Sequence, residues 1–421
     1  METNNSIPAS GKRTHAHPAV YMFLMLPFGI SSGYVTVTLA YQFGKIGVNM
    51  SDIAGLAVAT LIIGVVKFVL APLVDGFLTL KKWCLLSGFF SAAGVFALGV
   101  LPIQASSLGP LFWIILAGNI AVSFLGIAIN GLAAHDIPEE MKGRVSGYLN
   151  TGNLGGAGLG GGVGLWLAEH LTSSWMPAAT LAVACMLCSF GLLFIKEQPS
   201  TVQHKEVGKT IATMLKDLWH TLKARMGILA MILCFMPLGT GALQNLWAGA
   251  AGSWQASATT VEFVQGIFAG LITAGGCLLG GWICDRMNRQ RAYLLFGMLM
   301  AACAVAMAYS PHTETMFIFW TSLYAFILGL SYSAFSAFVF EAIGRGAAGT
   351  KYTMYACLSN FPILYMTKIE GWVFDSKGSV AMFHGATGML NIEAACGVVG
   401  VILFLGLMKY INSRPVINAK A

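Results

Sequence analysis

The chain has 421 residues, of which 57% are hydrophobic and only 10% charged. A soluble globular chain carries roughly 25% charged residues; a water-soluble fold of this size has nowhere to bury so much apolar surface, whereas lipid accepts it. The net charge of +7 is spread without a dense basic run, which excludes a nucleic-acid partner. All nine cysteines lie in or beside apolar stretches, which excludes a disulfide framework. Cys185 and Cys188 have redox or metal spacing but no neighbouring histidine, so neither a metal nor a cofactor is expected.

Residues 1–18 are polar and read as a cytoplasmic tail, because the apolar run behind them is too long for a cleaved signal peptide. About 20 apolar residues cross a bilayer as helix. Such runs fall at 19–41, 53–75, 84–103, 110–132, 145–168 and 176–195. A polar connector, 196–226, separates them from six more at 227–250, 261–284, 292–310, 316–341, 352–374 and 389–411, with a tail at 412–421. The chain is therefore read as an all-α membrane protein of twelve transmembrane helices, in two six-helix bundles at 19–195 and 227–411. Of the 24 Lys and Arg residues, only Lys45 and Lys377 fall in loops opposite the N-terminus, and only Lys67 and Lys368 lie at depth within spans. That bias puts both termini and the connector in the cytoplasm. In the connector, Val207, Ile211, Met214, Leu215, Leu218, Trp219 and Leu222 recur at helical spacing, interleaved with Lys209, Lys216, Lys223 and Arg225. They predict an amphipathic helix on the inner membrane surface.

Polar stripes along several spans predict a central chamber. Span one offers Tyr34, Thr38, Tyr41 and Gln42; span four offers Asn119, Ser123 and Asn130 on one side of its helix. Asn150 and Asn153 of span five, with Gln244, Asn245 and Trp247 of span seven, add hydrogen bonds and a stacking surface. An ionisable group inside the hydrocarbon costs several kcal/mol, so it usually faces a cavity or a partner. Lys67 lies roughly 21 Å down span two at 1.5 Å per residue, and Lys368 lies in span eleven, while Glu262, Glu370, Glu393, Asp75 and Glu341 cluster near helix ends. The chamber is thus expected to be net positive and to suit a carboxylate or phosphate. The competing reading is that the lysines snorkel to the nearest interface and the polar groups are helix–helix glue. Glu370, Glu262 and Asp75 are the candidate titratable groups for proton coupling. Gly152, Gly156, Gly160 and Gly164 make a smooth face on span five, expected to meet Gly266, Gly270 and Ala274 of span eight in a seam between the halves. No Gly-Lys-Ser/Thr follows these glycines, so they are not a phosphate loop. Pro362 predicts a bend in span eleven.

The two halves look like parallel repeats. Ala71-Pro72-Leu73-Val74-Asp75-Gly76-Phe77 closes span two before Lys81 and Lys82; Gly281-Trp282-Ile283-Cys284-Asp285-Arg286-Met287 closes span eight before Arg289 and Arg291. Gly281, Asp285, Arg286, Arg289 and Arg291 resemble the loop signature of the major facilitator superfamily, with Asn288 and Gln290 departing from it. Lys67-Phe68 through Ala71-Pro72-Leu73-Val74-Asp75, Ile137-Pro138-Glu139-Glu140-Met141-Lys142-Gly143-Arg144 and Gly371-Trp372-Val373-Phe374-Asp375 resemble the peptide–acetyl-coenzyme A transporter group, which includes muropeptide permeases and looks related to siderophore permeases. The resemblance implies the major facilitator fold and a cytoplasmic gate at Asp75, Asp285, Arg286 and Arg289. It implies a secondary transporter in the cell inner membrane, a monomer whose partners are a small-molecule solute, protons and the lipid bilayer. Two other readings stay open: a non-transporting sensor or assembly factor on this fold, and a membrane-embedded enzyme. The second is disfavoured because the histidines are scattered, His135 beside Asp136 being the pair weighed.

Overall fold

A computed structural model describes residues 15–48, 56, 59, 63–64, 67–196, 216, 218–264, 268–343, 348–376 and 381–413, and the regular elements among them are all helical. Seven continuous helices are long and apolar enough to cross a membrane: Ala19–Phe43 (span one), Leu80–Val100 (three), Ala105–Asp136 (four), Met176–Phe194 (six), Arg289–Ala308 (nine), Glu314–Ile343 (ten) and Gly385–Tyr410 (twelve). Span two is described mainly at its end, as Lys67–Val69 and Ala71–Gly76. Of the remaining spans, seven and eleven are interrupted among the described residues.

Span five runs Lys142–Asn150, widens into a π turn over Thr151–Gly155, and continues as Gly156–His170. Span eight is Ala258–Phe263 and then Ala269–Cys284. Span seven differs from the unbroken helix expected over 227–250. It stops after Arg225–Phe235 and resumes only as the short turns Ala242–Asn245 and Trp247–Ala250. Pro237 supplies no backbone donor, and Gly239 and Gly241 take φ +62° and +70°, a left-handed region that glycine enters without penalty. Span eleven bends as expected, but the helices Ala348–Leu358 and Asn360–Asp375 meet three residues before Pro362. The cause is that proline's missing N–H can offer nothing to the carbonyl four residues back.

The predicted connector helix lies mostly outside the described residues, including Val207, Ile211, Met214 and Leu215. Its end is helical, with exposed Trp219 under the Lys223 ammonium at 4.7 Å. Phe89, Phe90, Phe194, Leu193 and Ile402 are exposed, giving an apolar outer surface of the kind lipid covers. Trp113, Trp166 and Trp175, also exposed, sit near helix ends, where amphipathic rings favour the interface.

The interior is not one core. At the end bearing Asp75 and Asp285, a single apolar cluster draws on both halves of the chain, with Val74, Leu132 and Val145 packed among Phe338, Tyr355 and Cys284. Toward the opposite end it gives way to two separate clusters. One is built from Ile30, Leu98 and Leu181 of the first half, the other from Trp247, Met300 and Leu390 of the second. The halves share buried surface at one end and keep their own at the other.

Candidate functional site

At the joined end, two equivalent loops make the same contact. Asp75 accepts a hydrogen bond from the Thr350 backbone N at 2.8 Å, at the start of span eleven. Asp285 accepts from the Arg144 backbone N at 3.2 Å, at the start of span five, and from Arg144 Nε at 2.6 Å. Each carboxylate therefore sits on a helix N-terminus of the other half, where free N–H groups and the helix dipole favour an anion. Glycine makes the approach possible. A Cβ at Gly349 would lie 2.9 Å from Asp75 Oδ1, and one at Gly143 would lie 2.6 Å from Asp285 Oδ1. The helices that follow are capped alike, Thr79 accepting from Lys82 N and Asn288 from Arg291 N.

Arg289 completes the joined end. Its Nη1 donates to Glu139 Oε1 at 3.0 Å and Glu341 Oε2 at 3.2 Å, and its Nη2 to the Glu139 carbonyl. Lys142 pairs with Glu139 at 2.7 Å and donates to the Phe340 carbonyl at 2.8 Å. Partial burial pushes the Glu139 carboxyl up, but Lys142 and Arg289 together outweigh it and hold the group below its ordinary value. Arg286, expected in the gate, does not cross between halves. Its guanidinium lies 3.7 Å over the Trp282 ring of its own helix and donates to the Trp282 carbonyl. Lys142, Arg144, Glu139 and Glu341 were not among the predicted gate residues. The signal for three of them was the Ile137–Arg144 stretch, read only as a resemblance.

The seam between spans five and eight uses a different face from the one expected. A Cβ at Gly147 or Gly281 would strike the facing backbone, Thr151 Oγ1 donates to the Ala274 carbonyl at 3.1 Å, and Gly270 lies against Gly158. The stripe Gly152, Gly156, Gly160 and Gly164 instead packs on span one, where added Cβ atoms would meet Met22, Leu26, Ile30 and Thr38. Span five is glycine-lined on two faces, and a sequence periodicity of four does not say which neighbour each face meets.

The polar residues distribute as follows. Asn150 Nδ2 donates to Ser146 O at 2.9 Å and bridges to span ten through Ser336 Oγ at 3.1 Å and the Tyr332 carbonyl at 3.4 Å. Asn153 is half-buried in the π turn. Tyr34 is buried beside Gly164, Tyr41 is exposed, and Asn119 donates to its own helix at Ile115. Asn130 donates to Gly126 O at 2.7 Å, leaving its buried Oδ1 without a donor. Asn245 donates to Thr367 Oγ1 at 3.2 Å, Gln244 Oε1 is enclosed without a partner, and Trp247 packs edge-on against Tyr324. The Lys67 ammonium lies 5.8 Å from the Phe28 ring centroid of span one, beside Cys357 of span eleven, whose thiol donates to the Gly64 carbonyl. Lys368 is about 16 Å further along span eleven at 1.5 Å per residue, exposed on the side that carries Leu364 and Trp372. Glu370 is fully buried, and the Glu262 side chain lies outside the described residues.

A cleft unforeseen in the sequence opens at the break in span seven, lined by Gly239, Thr240, Tyr293, Ser331, Tyr332 and Ser359 among others. Two tyrosines satisfy the freed backbone, Tyr365 donating to the Phe235 carbonyl at 2.8 Å and Tyr293 to the Leu238 carbonyl at 2.5 Å. Irregular backbone at membrane depth is tolerated where protein buries it or a cavity takes it up. The Pro237-Leu238-Gly239-Thr240-Gly241 run was the available signal.

The family model of the Major Facilitator Superfamily matches residues 19–365. The chain belongs to the major facilitator superfamily. This multi-pass membrane protein is 23% identical over 281 residues to the anhydromuropeptide permease of Escherichia coli K12, a match covering 64% of this chain and 54% of the permease; the O157:H7 permease matches equally. The chain thus spans about half the length of the curated relatives it matches. Among solved structures, the E. coli fucose:proton symporter FucP aligns with TM-score 0.68 at 14% identity, over 93% of this chain and 98% of its own. The human organic anion transporter MFSD10 aligns at 0.67 and 14%, over 92% and 98%. The proton:xylose symporter XylE, bound to 6-bromo-6-deoxy-D-glucose, aligns at 0.66 and 15%, over 92% and 95%. These likenesses establish the fold of this superfamily member, twelve helices in two six-helix repeats.

Proposed function

We propose that this transporter moves a medium-sized organic anion across the inner membrane by alternating access, coupled to protons, with its cargo in the muropeptide, siderophore or coenzyme A derivative class. The observation that carries the reading is Lys67, a cation within span two that lies against Phe28 and Cys357 and forms no ion pair among the described residues. A cation in the hydrocarbon is costly until it meets negative charge, and a solute carboxylate or phosphate supplies it. The likeness to a permease named for anhydromuropeptides supports an anionic glycopeptide as cargo. The shared core at the Asp75 and Asp285 end supports alternating access, since those contacts hold one side closed and must part to release solute on that side.

The test uses the purified protein in proteoliposomes with a radiolabelled anhydromuropeptide. Lys67→Gln is expected to abolish uptake while leaving thermal unfolding in place; uptake at the wild-type rate removes Lys67 from the site. A wild-type protein that shows no counterflow of this solute rejects the cargo.

A further inference from the structure

Glu370 and Glu393 were read from the sequence as acids near helix ends, Glu370 as one of three candidates for proton coupling and Glu393 with no role. In the structure they form a buried pair. Glu370, on the outer helix of span eleven, is 0% exposed, and Glu393, on span twelve, is 5% exposed. Their carboxyls stand within hydrogen-bonding reach of each other. The Tyr324 hydroxyl of span ten, itself 1% exposed, donates to Glu393 Oε1 at 3.1 Å. The other three oxygens, both of Glu370 and Oε2 of Glu393, have no donor, and Trp247, packed against Tyr324 at 5.5 Å, has an unpartnered indole N–H.

Two facing acceptors with no donor between them lack a hydrogen, and like charges in contact away from water cannot both ionise. Among the described residues, Cys396 of span twelve also faces Glu370 and Cys303 of span nine faces Tyr324, and neither is a cation. On Glu370's own helix, Lys368 is exposed, and Tyr365 donates to the Phe235 carbonyl. Cys234, Tyr355 and Lys351, on the other elements packed against that helix, lie toward the joined end. No Lys, Arg or His among the described residues forms an ion pair with either glutamate.

The pair also sits across a joint. The inner helix of span eleven is docked on the first half through Asp75 and Thr350, and the outer helix, beyond the bend at Ser359, carries Glu370 onto span twelve. We propose that Glu370 and Glu393 are the proton-carrying site of this transporter, one proton shared between the two carboxyls and released to water when the hinged outer helix of span eleven moves off span twelve. Loaded, the pair carries one negative charge; after release it carries two, and the next proton restores the shared hydrogen bond. Tyr324 steadies the ionised partner. The assignment rests on the proton-coupled reading above and names its residues.

Infrared titration of the protein in lipid nanodiscs tests the site without any solute. The wild type is expected to keep a protonated-carboxyl band at about pH 7, well above where ordinary carboxylates ionise. Glu370→Gln and Glu393→Gln each shift its titration by about one pH unit or more, and the double substitution removes it. Tyr324→Phe, which deletes a donor to the anion, extends the band to higher pH. A wild type without the band, or a band that survives the double substitution, overturns the proposal. In proteoliposomes, a proton gradient drives accumulation of the anhydromuropeptide by the wild type. Either single substitution cuts that accumulation about tenfold or more while sparing solute exchange, which needs no net proton movement. Gradient-driven accumulation by Glu370→Gln at the wild-type level also overturns it. A wild type that does not respond to the gradient rejects the coupling itself, and the infrared result then decides the site alone.

Discussion

Arg289 shows how much a single side chain does at the joined end. It is 8% exposed, and its fork reaches the Glu139 carboxylate and carbonyl across the halves and Glu341 of its own half. Hydrogen bonds to charged groups contribute about 1.5–3 kcal/mol each, so Arg289→Ala is expected to shift the closed-to-open ratio about tenfold or more. Alkylation of Cys357, buried at the contact of spans two and eleven, reads this directly in a background where it is the only cysteine; an unchanged rate refutes it. The same network fixes a pH dependence. Glu139 is held below its ordinary value of 4.5, so its contribution is complete above that pH and is lost only as the pH falls through the lowered value. Spin-label distances across the joined end should stay constant from neutral pH to about 4.5 and lengthen below it.

Among the elements, spans five and eight depend on having no side chains where they touch. A Cβ at Gly281 would come within 2.6 Å of the Gly143 carbonyl and 2.9 Å of Gly147 Cα, both backbone atoms that cannot yield locally. Gly281→Ala is therefore expected to hold the seam apart, speeding Cys357 alkylation and slowing transport. Span five keeps its packing on span one and the protein still folds. Gly275, one turn and a half earlier on span eight, has nothing within 4 Å, so Gly275→Ala gains helix propensity and leaves transport intact. Equal effects from the two substitutions would mean the seam is not what limits closure. Elsewhere the helices themselves give way: span eleven breaks at Ser359, and span seven opens a cleft where its helix stops.

For the whole molecule, the arrangement of apolar clusters matters more than any one contact. One core shared by both halves at the Asp75 end, and two separate cores beyond it, describe a body closed on one side and divided on the other. The basic residues predict a direction for that body, because the loops rich in Lys and Arg are the ones expected to face the cytoplasm. Reporter fusions at residue 18 and residue 413 are expected to report the same, cytoplasmic, face. Opposite faces would require an odd number of crossings and break the two-repeat reading.

Much of this was legible along the chain. Apolar runs of about 20 residues, the charge bias and the repeated Asp-containing loops determined the twelve spans, their pairing into repeats and the family, because lipid imposes length and polarity span by span. Asp75 and Asp285 were legible as candidates from that repeat, and Arg289 from the resemblance of its loop to the superfamily signature. Which glycine face of span five meets which neighbour, where span seven breaks, and that Arg286 turns back onto Trp282 were not, because each depends on what another helix presents. Glu370 and Glu393 make the point most sharply. Twenty-three positions apart on different helices, they read from the sequence as separate acids near an interface, Glu370 a candidate for proton coupling and Glu393 without a role. Only the packing of spans ten, eleven and twelve brings them together, with no ion pair to either among the described residues, and the chemistry proposed for them comes from that meeting.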